Sequence, residues 1–285
     1  MVTSTAFELA FDSVARGLLF ALLGAAITLV FGLGNVLNIA IGVFAVVAVV
    51  ATVELLALVQ QPVLASAGGL AFVGVLGLTV DRTLLEVVYR EEGEDRILLG
   101  IFVTIGLLLF IEGVLFAQFP LSYSVPHSIP TLSIGGAVIL GSRIVQVALS
   151  AVVLAALFAF LRYTYLGKGT RTIFQDEAGA ALCGINIRRI RTLIFVISVV
   201  LSGLAGILQS LESGISADNA FELTSFAIIV SIVGGVRNIR GTIAAGLLLG
   251  FVITVGNFLI GSYISKIILF GTAVVVLVVK PGEIA

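Results

Sequence analysis

The densest group of polar side chains in this chain lies at residues 166–192, LGKGTRTIFQDEAGAALCGINIRRIRT, where a lysine between glycines, an Asp-Glu pair, the lone cysteine and a run of arginines stand together. A lysine in a glycine-rich turn can cradle phosphate, but that pattern needs Gly-x4-Gly-Lys-Ser/Thr. Here Gly169 follows Lys168, and Arg162 holds the place of the first glycine, so ATP is not bound by this motif. One cysteine, Cys183, and one histidine, His127, exclude an internal disulfide and a cysteine-based metal centre. His127 reads as a solvated loop residue. There is no His-Glu-x-x-His pair, no Gly-x-Ser-x-Gly elbow and no cluster of His and carboxylates for hydrolysis. An enzyme is not expected, and the chain is predicted to carry no cofactor or metal of its own. What remains to the segment is a polar surface, either a small-residue helix that fits a groove on another protein or an ordinary solvated connector anchored by interfacial arginines.

Its setting is apolar. Hydrophobic residues make up 60% of the chain and charged residues 11%, with a mean hydropathy of +1.25. A water-soluble domain could not carry that composition without a large apolar surface. Runs such as GVFAVVAVVAT are apolar on every side, unlike the alternating segments of a membrane barrel. The fold class expected is all-α: one polytopic domain over residues 1–285 with eight to nine transmembrane segments, some broken. Candidate spans are 14–33, 36–59, 62–80, 97–119, 143–162, 192–211, 224–240, 241–260 and 263–280, each near the roughly 20 residues a crossing requires. Net charge is −1, which suggests no nucleic-acid partner. Glu8 and Asp12 precede the first basic residue, Arg16, so the first span is expected to be retained and not cleaved as a signal peptide.

Basic residues set the orientation. Residues 162–191 hold Arg162, Lys168, Arg171, Arg188, Arg189 and Arg191, whereas 120–142 and 212–223 hold none. The first segment is therefore placed in the cytoplasm and the other two outside. Loop 81–96, with Arg82, Arg90, Arg96 and six acids, also falls inside. Segment 224–236 is short enough to re-enter; if it crosses, Arg237, Arg240 and Lys280 lie inside.

Two segments interrupt the apolar pattern: FGLGNVLNIAIG at 31–42, and VGGVRNIRGTIAAG at 233–246. Backbone groups freed by a helix break cannot face lipid, so a break is either buried in protein or lines a wet cavity. That makes 31–42 a candidate for a translocation path, with tight turns and close helix packing as the plain structural alternative. Within presumed spans stand two acids, Glu54 and Glu112, functional candidates by default.

The order RTIFQDEAGAALCGINIRRIRTLIFVISVVLSGLAGIL resembles the cytoplasmic loop and following span of permease subunits of branched-chain amino acid ABC transporters. The matching positions are Ala180-Ala181, Gly184-Ile185-Asn186, Arg188-Arg189, Ser202-Gly203 and Ala205-Gly206. GLLFALLGAAITLVFGLGNVLNIAIG is similar to the family's first span and its Asn-Phe-Ala-His-Gly motif, IVGGVRNIRGTIAAGLLLG to its Gly-Gly-x-Gly-x-x-x-Gly segment, and VLVVKPGEIA to its Arg-Pro-Gly terminus. Ile39 and Ile41 stand where that motif often has Phe and His, and Arg237 and Arg240 where Gly and Pro are common. The His departure bears on specificity.

The resemblance implies the permease subunit of an ATP-binding cassette importer that moves branched-chain or related amino acids across a prokaryotic inner membrane, with segment 163–191 as a cytoplasmic coupling loop. It also implies separate ATP-binding cassette ATPase subunits that use ATP and Mg, a second permease, identical or related, and an external solute-binding protein. Asp176, Glu177, Ala178, Gly184 and Arg188 would meet the ATPase. Asn35, Asn38, Gly42 and Asn257 would line the substrate path, their amides receiving a polar solute without a buried charge. Rival readings are an ABC permease for another polar solute such as a sugar, a proton- or ion-coupled secondary transporter using Glu54 and Glu112, and a non-transporting scaffold.

Overall fold

The structure, a computed structural model, describes residues 2–34, 36–91, 93–126, 129–134 and 137–279. The chain runs through α1 (Val2–Gly34), α2 (Ile41–Val59) and α3 (Pro62–Val80), which continues by a π-helical turn (Asp81–Leu85) into the short α4 (Glu86–Val88). Then follow α5 (Gly93–Gln118), a hairpin of β1 (Leu132–Ile134) and β2 (Ala137–Ile139), α6 (Gly141–Tyr163), α7 (Tyr165–Gln175) and α8 (Glu177–Leu182). The chain continues with α9 (Ile187–Ser210), α10 (Asn219–Gly234), α11 (Ile239–Ile260) and α12 (Ser262–Val279). Among the described residues, seven helices are long and apolar enough to cross a membrane, α3 and α4 counting as one, and α10 and α12 are shorter apolar helices. The protein is a polytopic all-α membrane protein.

Two helices depart from the expected spans. α1 begins at Val2 instead of near residue 14, because a helix closes its own backbone bonds and can outrun the hydrocarbon layer. α10 starts at Asn219 and stops at Gly234, where Gly235 turns the chain at a φ of 89°. At 16 residues it spans about 24 Å. It still reaches the cytoplasmic side: Arg237 and Arg240 line one cavity with Arg162 and Arg171, and Arg240 lies 5.1 Å from the Phe158 ring.

Polar contacts fix which ends share a face. Tyr123 and Ile215 exchange two backbone bonds of 2.8 Å, joining the two loops that lack basic residues. Arg143, in the first turn of α6, pairs with Asp12 of α1 and, at 3.3 Å, with Glu212. On the opposite face Asp81 accepts a bond of 2.6 Å from Thr192, and Arg188 meets Glu86 at 2.6 Å.

α1 occupies the centre. Its apolar window is 83% buried, against 22% for α5. Small residues explain the difference: between transmembrane helices packing drives association, and glycine lets backbones meet. A Cβ on Gly250 of α11 would collide with the backbone of Gly17 in α1, and one on Gly246 would lie 2.7–2.9 Å from Ala21. Buried hydroxyls add direction. Thr28 of α1 is 2.9 Å from both Ser231 of α10 and Thr242 of α11.

Between α1 and α2 the chain leaves the helix over residues 36–40. The Thr104 hydroxyl of α5 shares its proton between the Gly100 carbonyl of its own helix at 2.8 Å and the Leu37 carbonyl at 3.1 Å, and its oxygen accepts from the Ile39 N–H at 3.1 Å. Thr224 of α10 donates to the Ile39 carbonyl and accepts from the Gly42 N–H, both at 3.0 Å. Ser202 of α9 donates to the Ile41 carbonyl at 2.5 Å, and Asn38 Oδ1 accepts from the Ala40 N–H at 3.1 Å. Thr104 stands about 16 Å along α5 from its cytoplasmic start at Gly93, near the middle of a core about 30 Å thick. The break is buried in protein at mid-membrane, where neighbouring hydroxyls replace water.

Two predictions follow from this packing. Gly250→Val should lower stability by about 1–3 kcal/mol through overpacking, whereas Gly271→Ala, whose Cβ meets nothing within 4 Å, should leave thermal unfolding in detergent unchanged. Thr224→Val should strand the Ile39 carbonyl and the Gly42 N–H at about 1–3 kcal/mol each, and Thr224→Ser should restore most of the loss; equal melting of the two variants would refute the hydroxyl's role.

Candidate functional site

The polar segment folds into two short helices beneath the bundle. Thr164 caps α7, its side chain accepting from the Gly167 N–H at 3.0 Å, and α7 turns Gly167, Gly169, Thr170 and Ile173 inward. α8 is ended by Gly184: its φ of 77° and the bonds Gly184 N–H to Ala181 (3.0 Å) and Ile185 N–H to Ala180 (3.1 Å) form a Schellman turn. Nothing lies within 4 Å of a Cβ placed there. The demand on Gly184 is thus conformational. Asn186 then caps α9 by accepting from the Arg189 N–H at 3.0 Å.

α8 has two faces. Glu177 points into the body, its Oε2 accepting from Arg191 Nη2 of α9 at 2.7 Å and from Arg96 Nη1 of α5 at 3.2 Å. Both arginines are buried, and Ala180 beside them is 0% exposed. Arg191 also stacks over Tyr89, 4.6 Å from the ring centroid, while Arg96 Nε donates to the Glu91 carbonyl at 2.7 Å. Burial, then the neighbouring Asp81 charge, pushes the Tyr89 phenol above its ordinary range, so the ring stays neutral under the guanidinium. The outer face shows Ala178, Ala181, Leu182 and Cys183, with Leu182 90% exposed.

The five residues nominated for docking therefore divide. Asp176, Ala178 and Gly184 are exposed; Glu177 ties α8 to α5 and α9; and Arg188 is exposed but paired with Glu86 of α4. Reading along the sequence missed Arg96, Tyr89, Asp81 and Leu182. The first three come from the mixed-charge loop 81–96, whose only signal was its density of acids and arginines of opposite charge.

The path candidates also divide. Asn35 and His127 lie outside the described residues. Asn38 and Gly42 sit in the buried break: Asn38 is 1% exposed with its Nδ2 unpartnered among the described residues, and a Cβ on Gly42 would collide with the Ala220 carbonyl. Asn257 is elsewhere, on the wall of an external cavity of about 230 Å³ with Arg16, Gln209, Asn219 and the Glu222–Lys266 pair (2.6 Å). Its Oδ1 has no partner among the described residues. Leu223 on the same wall adjoins Thr224, which holds the break.

Glu54 is exposed on an otherwise apolar groove between α2, α3 and α5, and Glu112 is half-buried on α5. They stand about 8 Å and about 9 Å from the external ends of their helices, within reach of the headgroup region. Among the described residues no three His, Cys, Asp or Glu gather as metal ligands.

Comparison with known proteins agrees with this architecture. A family described as branched-chain amino acid transport system, permease component, matches residues 9–277. The high-affinity branched-chain amino acid transport system permease BraD of Pseudomonas aeruginosa is 25% identical over 290 residues, covering 96% of this chain and 93% of the relative. Its counterpart LivH of Escherichia coli is 25% identical over 293 residues with the same coverage. The ribose import permease RbsC of Haemophilus influenzae is 31% identical, over 47% of this chain and 44% of its own length. No solved structure matches. With the family model spanning both the broken α1–α2 connection and the α8 segment, this chain belongs to the family of branched-chain amino acid transport system permease components.

Proposed function

We propose that the chain is one permease subunit of an ATP-binding cassette importer that carries branched-chain amino acids inward, with ATP and Mg handled by separate ATPase subunits docked on α8. The chain itself is a transport subunit and not an enzyme. The observation that carries the reading is the two-faced α8. Its outer face is small and apolar around the exposed Leu182, fit for a groove on another protein, and its inner face is clamped by Glu177 to two transmembrane helices.

Those two helices are two of the three that hold the break, α10 being the third. α9 carries Arg191 at its cytoplasmic start and Ser202 about 16 Å further on, against the Ile41 carbonyl. α5 carries Arg96 and, about 12 Å on, Thr104 against Leu37 and Ile39. When paired ATPases close, α8 is carried with them as a rigid body, and the Glu177 clamp moves α5 and α9 against each other. The mid-membrane turn is then re-formed around Asn38 and Gly42, which together with Asn35 and Asn257 make the proposed path. A second permease completes that path, and a solute-binding protein delivers cargo to the external loops at 120–134 and 212–223. Amino-acid cargo is favoured over a sugar because the amino-acid permeases match over 96% of this chain, while the ribose permease matches under half of it.

Co-purification with the ATPase subunits in mild detergent, followed by uptake in proteoliposomes, tests the reading. Leu182→Glu should abolish ATPase capture while leaving the chain folded. Glu177→Gln should retain capture yet lower solute moved per ATP several-fold, because the clamp and not the docking face is lost. A chain that transports alone under an ion gradient would overturn the importer assignment and bring Glu54 and Glu112 to the fore.

A further inference from the structure

The cytoplasmic face carries two groups of arginines, and only one of them is neutralised. Around α8 the arginines meet carboxylates: Arg96 and Arg191 share Glu177, and Arg188 takes Glu86. The second group is Arg162 at the end of α6, Arg171 of α7, and Arg237 and Arg240 at the α10–α11 turn; together they line a cavity of about 550 Å³. Among the described residues no Asp or Glu lies on its wall. Arg162, Arg171 and Arg240 are exposed and enter none of the ion pairs among the described residues. Arg171 Nη2 donates instead to the Arg162 carbonyl at 3.2 Å, Arg162 lies 5.5 Å from the Tyr163 ring centroid, and Arg240 lies over Phe158. A concave site lined by one sign of charge concentrates ions of the other sign.

The apolar side of the cavity selects among anions. On α6, Ala151, Ala155, Phe158 and Arg162 follow one another at helical spacing, and both alanines are exposed. On α11, Arg240, Ala244, Leu247, Leu248 and Phe251 form a second stripe, exposed throughout. Both helices pack on α1. Each stripe ends in an arginine at the cytoplasmic side, and the contact of Arg240 with Phe158 brings those ends together. A free phosphate would engage the guanidinium groups alone. A phospholipid engages both parts, its phosphate on the arginines and its acyl chains along the stripes. Four arginines repel the ammonium of a zwitterionic headgroup, which leaves an anionic one.

We propose that this cavity binds the headgroup of an anionic phospholipid of the cytoplasmic leaflet, its phosphate accepting from Arg162, Arg171 and Arg240. Such a lipid ties α7, where the coupling segment begins, to α6 and to the α10–α11 turn. Arg237 and Arg240 stand where related permeases commonly have Gly and Pro, so the site is a property of this chain and does not follow from its family.

The test titrates the full chain, in uncharged detergent, with phosphatidylglycerol or phosphatidylcholine and counts bound lipid by native mass spectrometry. Phosphatidylglycerol should fill one site that phosphatidylcholine at the same concentration does not. Arg162→Gln/Arg240→Gln should weaken that site about 30-fold, equivalent to about 1 kcal/mol for each arginine lost. Arg90→Gln/Arg189→Gln, which removes the same charge from the same face, should leave it unchanged. Should the first double variant not fold, Arg240→Gln alone should weaken the site about fivefold. No retained phosphatidylglycerol, equal filling by the two lipids, or equal loss in the two double variants would overturn the proposal. So would displacement by inorganic phosphate at the lipid's own concentration, which marks a site for soluble anions. Loss of the lipid when the ATPase subunits assemble would overturn it too, by giving the arginines to a protein partner.

Discussion

A backbone N–H or C=O inside a bilayer has no water to turn to, and the α1–α2 connection places several of them at mid-membrane. Thr104, Ser202 and Thr224 resolve this from three different helices, with Asn38 closing the turn on itself. The consequence is mechanical as well as energetic. A segment held by hydroxyls on α5, α9 and α10 follows those helices when they move, because an unmet buried group costs more than a small shift of the helix. The rest of the bundle can be read as what holds these three helices around α1.

That holding is uneven. On one side α1, α10 and α11 close up through glycines and the Thr28–Ser231–Thr242 hydroxyl cluster, a contact in which backbone meets backbone and little can slide. On the other, α5 is mostly uncovered; beside an apolar strip with Leu108 and Leu115 in the core, it is tethered by Thr104 at mid-membrane and Arg96 at the cytoplasmic end. A packed half and a tethered half suit a subunit in which one part keeps the fold and the other changes position. Glu177, shared between arginines of α5 and α9, stands where the tethered half meets the cytoplasm.

The external end has its own organisation. Arg143 joins α6 to Asp12 and Glu212, and Tyr123 pairs with Ile215, which lines the cavity that holds Asn257. Polar groups thus concentrate at three depths: the external cavity, the buried break and the cytoplasmic clamp. Elsewhere the exposed surface is largely apolar side chains of α3, α5, α11 and α12, as expected where lipid or another membrane subunit is the neighbour.

Much of this was legible in the sequence. Apolar length gave the spans, arginine and lysine placement gave the sidedness, and the Gly-Asn interruption at 31–42 announced the break, because each depends on local composition against a uniform solvent. Even the capping residue Asn186 and the Gly184 turn follow from short-range backbone chemistry. Which face of α8 points outward did not follow: Glu177 turns inward because Arg96 and Arg191, from segments distant in the chain, converge on it. In the same way the sequence marked Asn38 and Asn257 alike as amides in apolar runs, and only the tertiary structure separated them, one into the sealed mid-membrane turn and the other into an external cavity. The physical reason is the same in both cases. A span's existence is set by its own residues and the bilayer, whereas the partner of a buried polar group is set by which helices pack beside it.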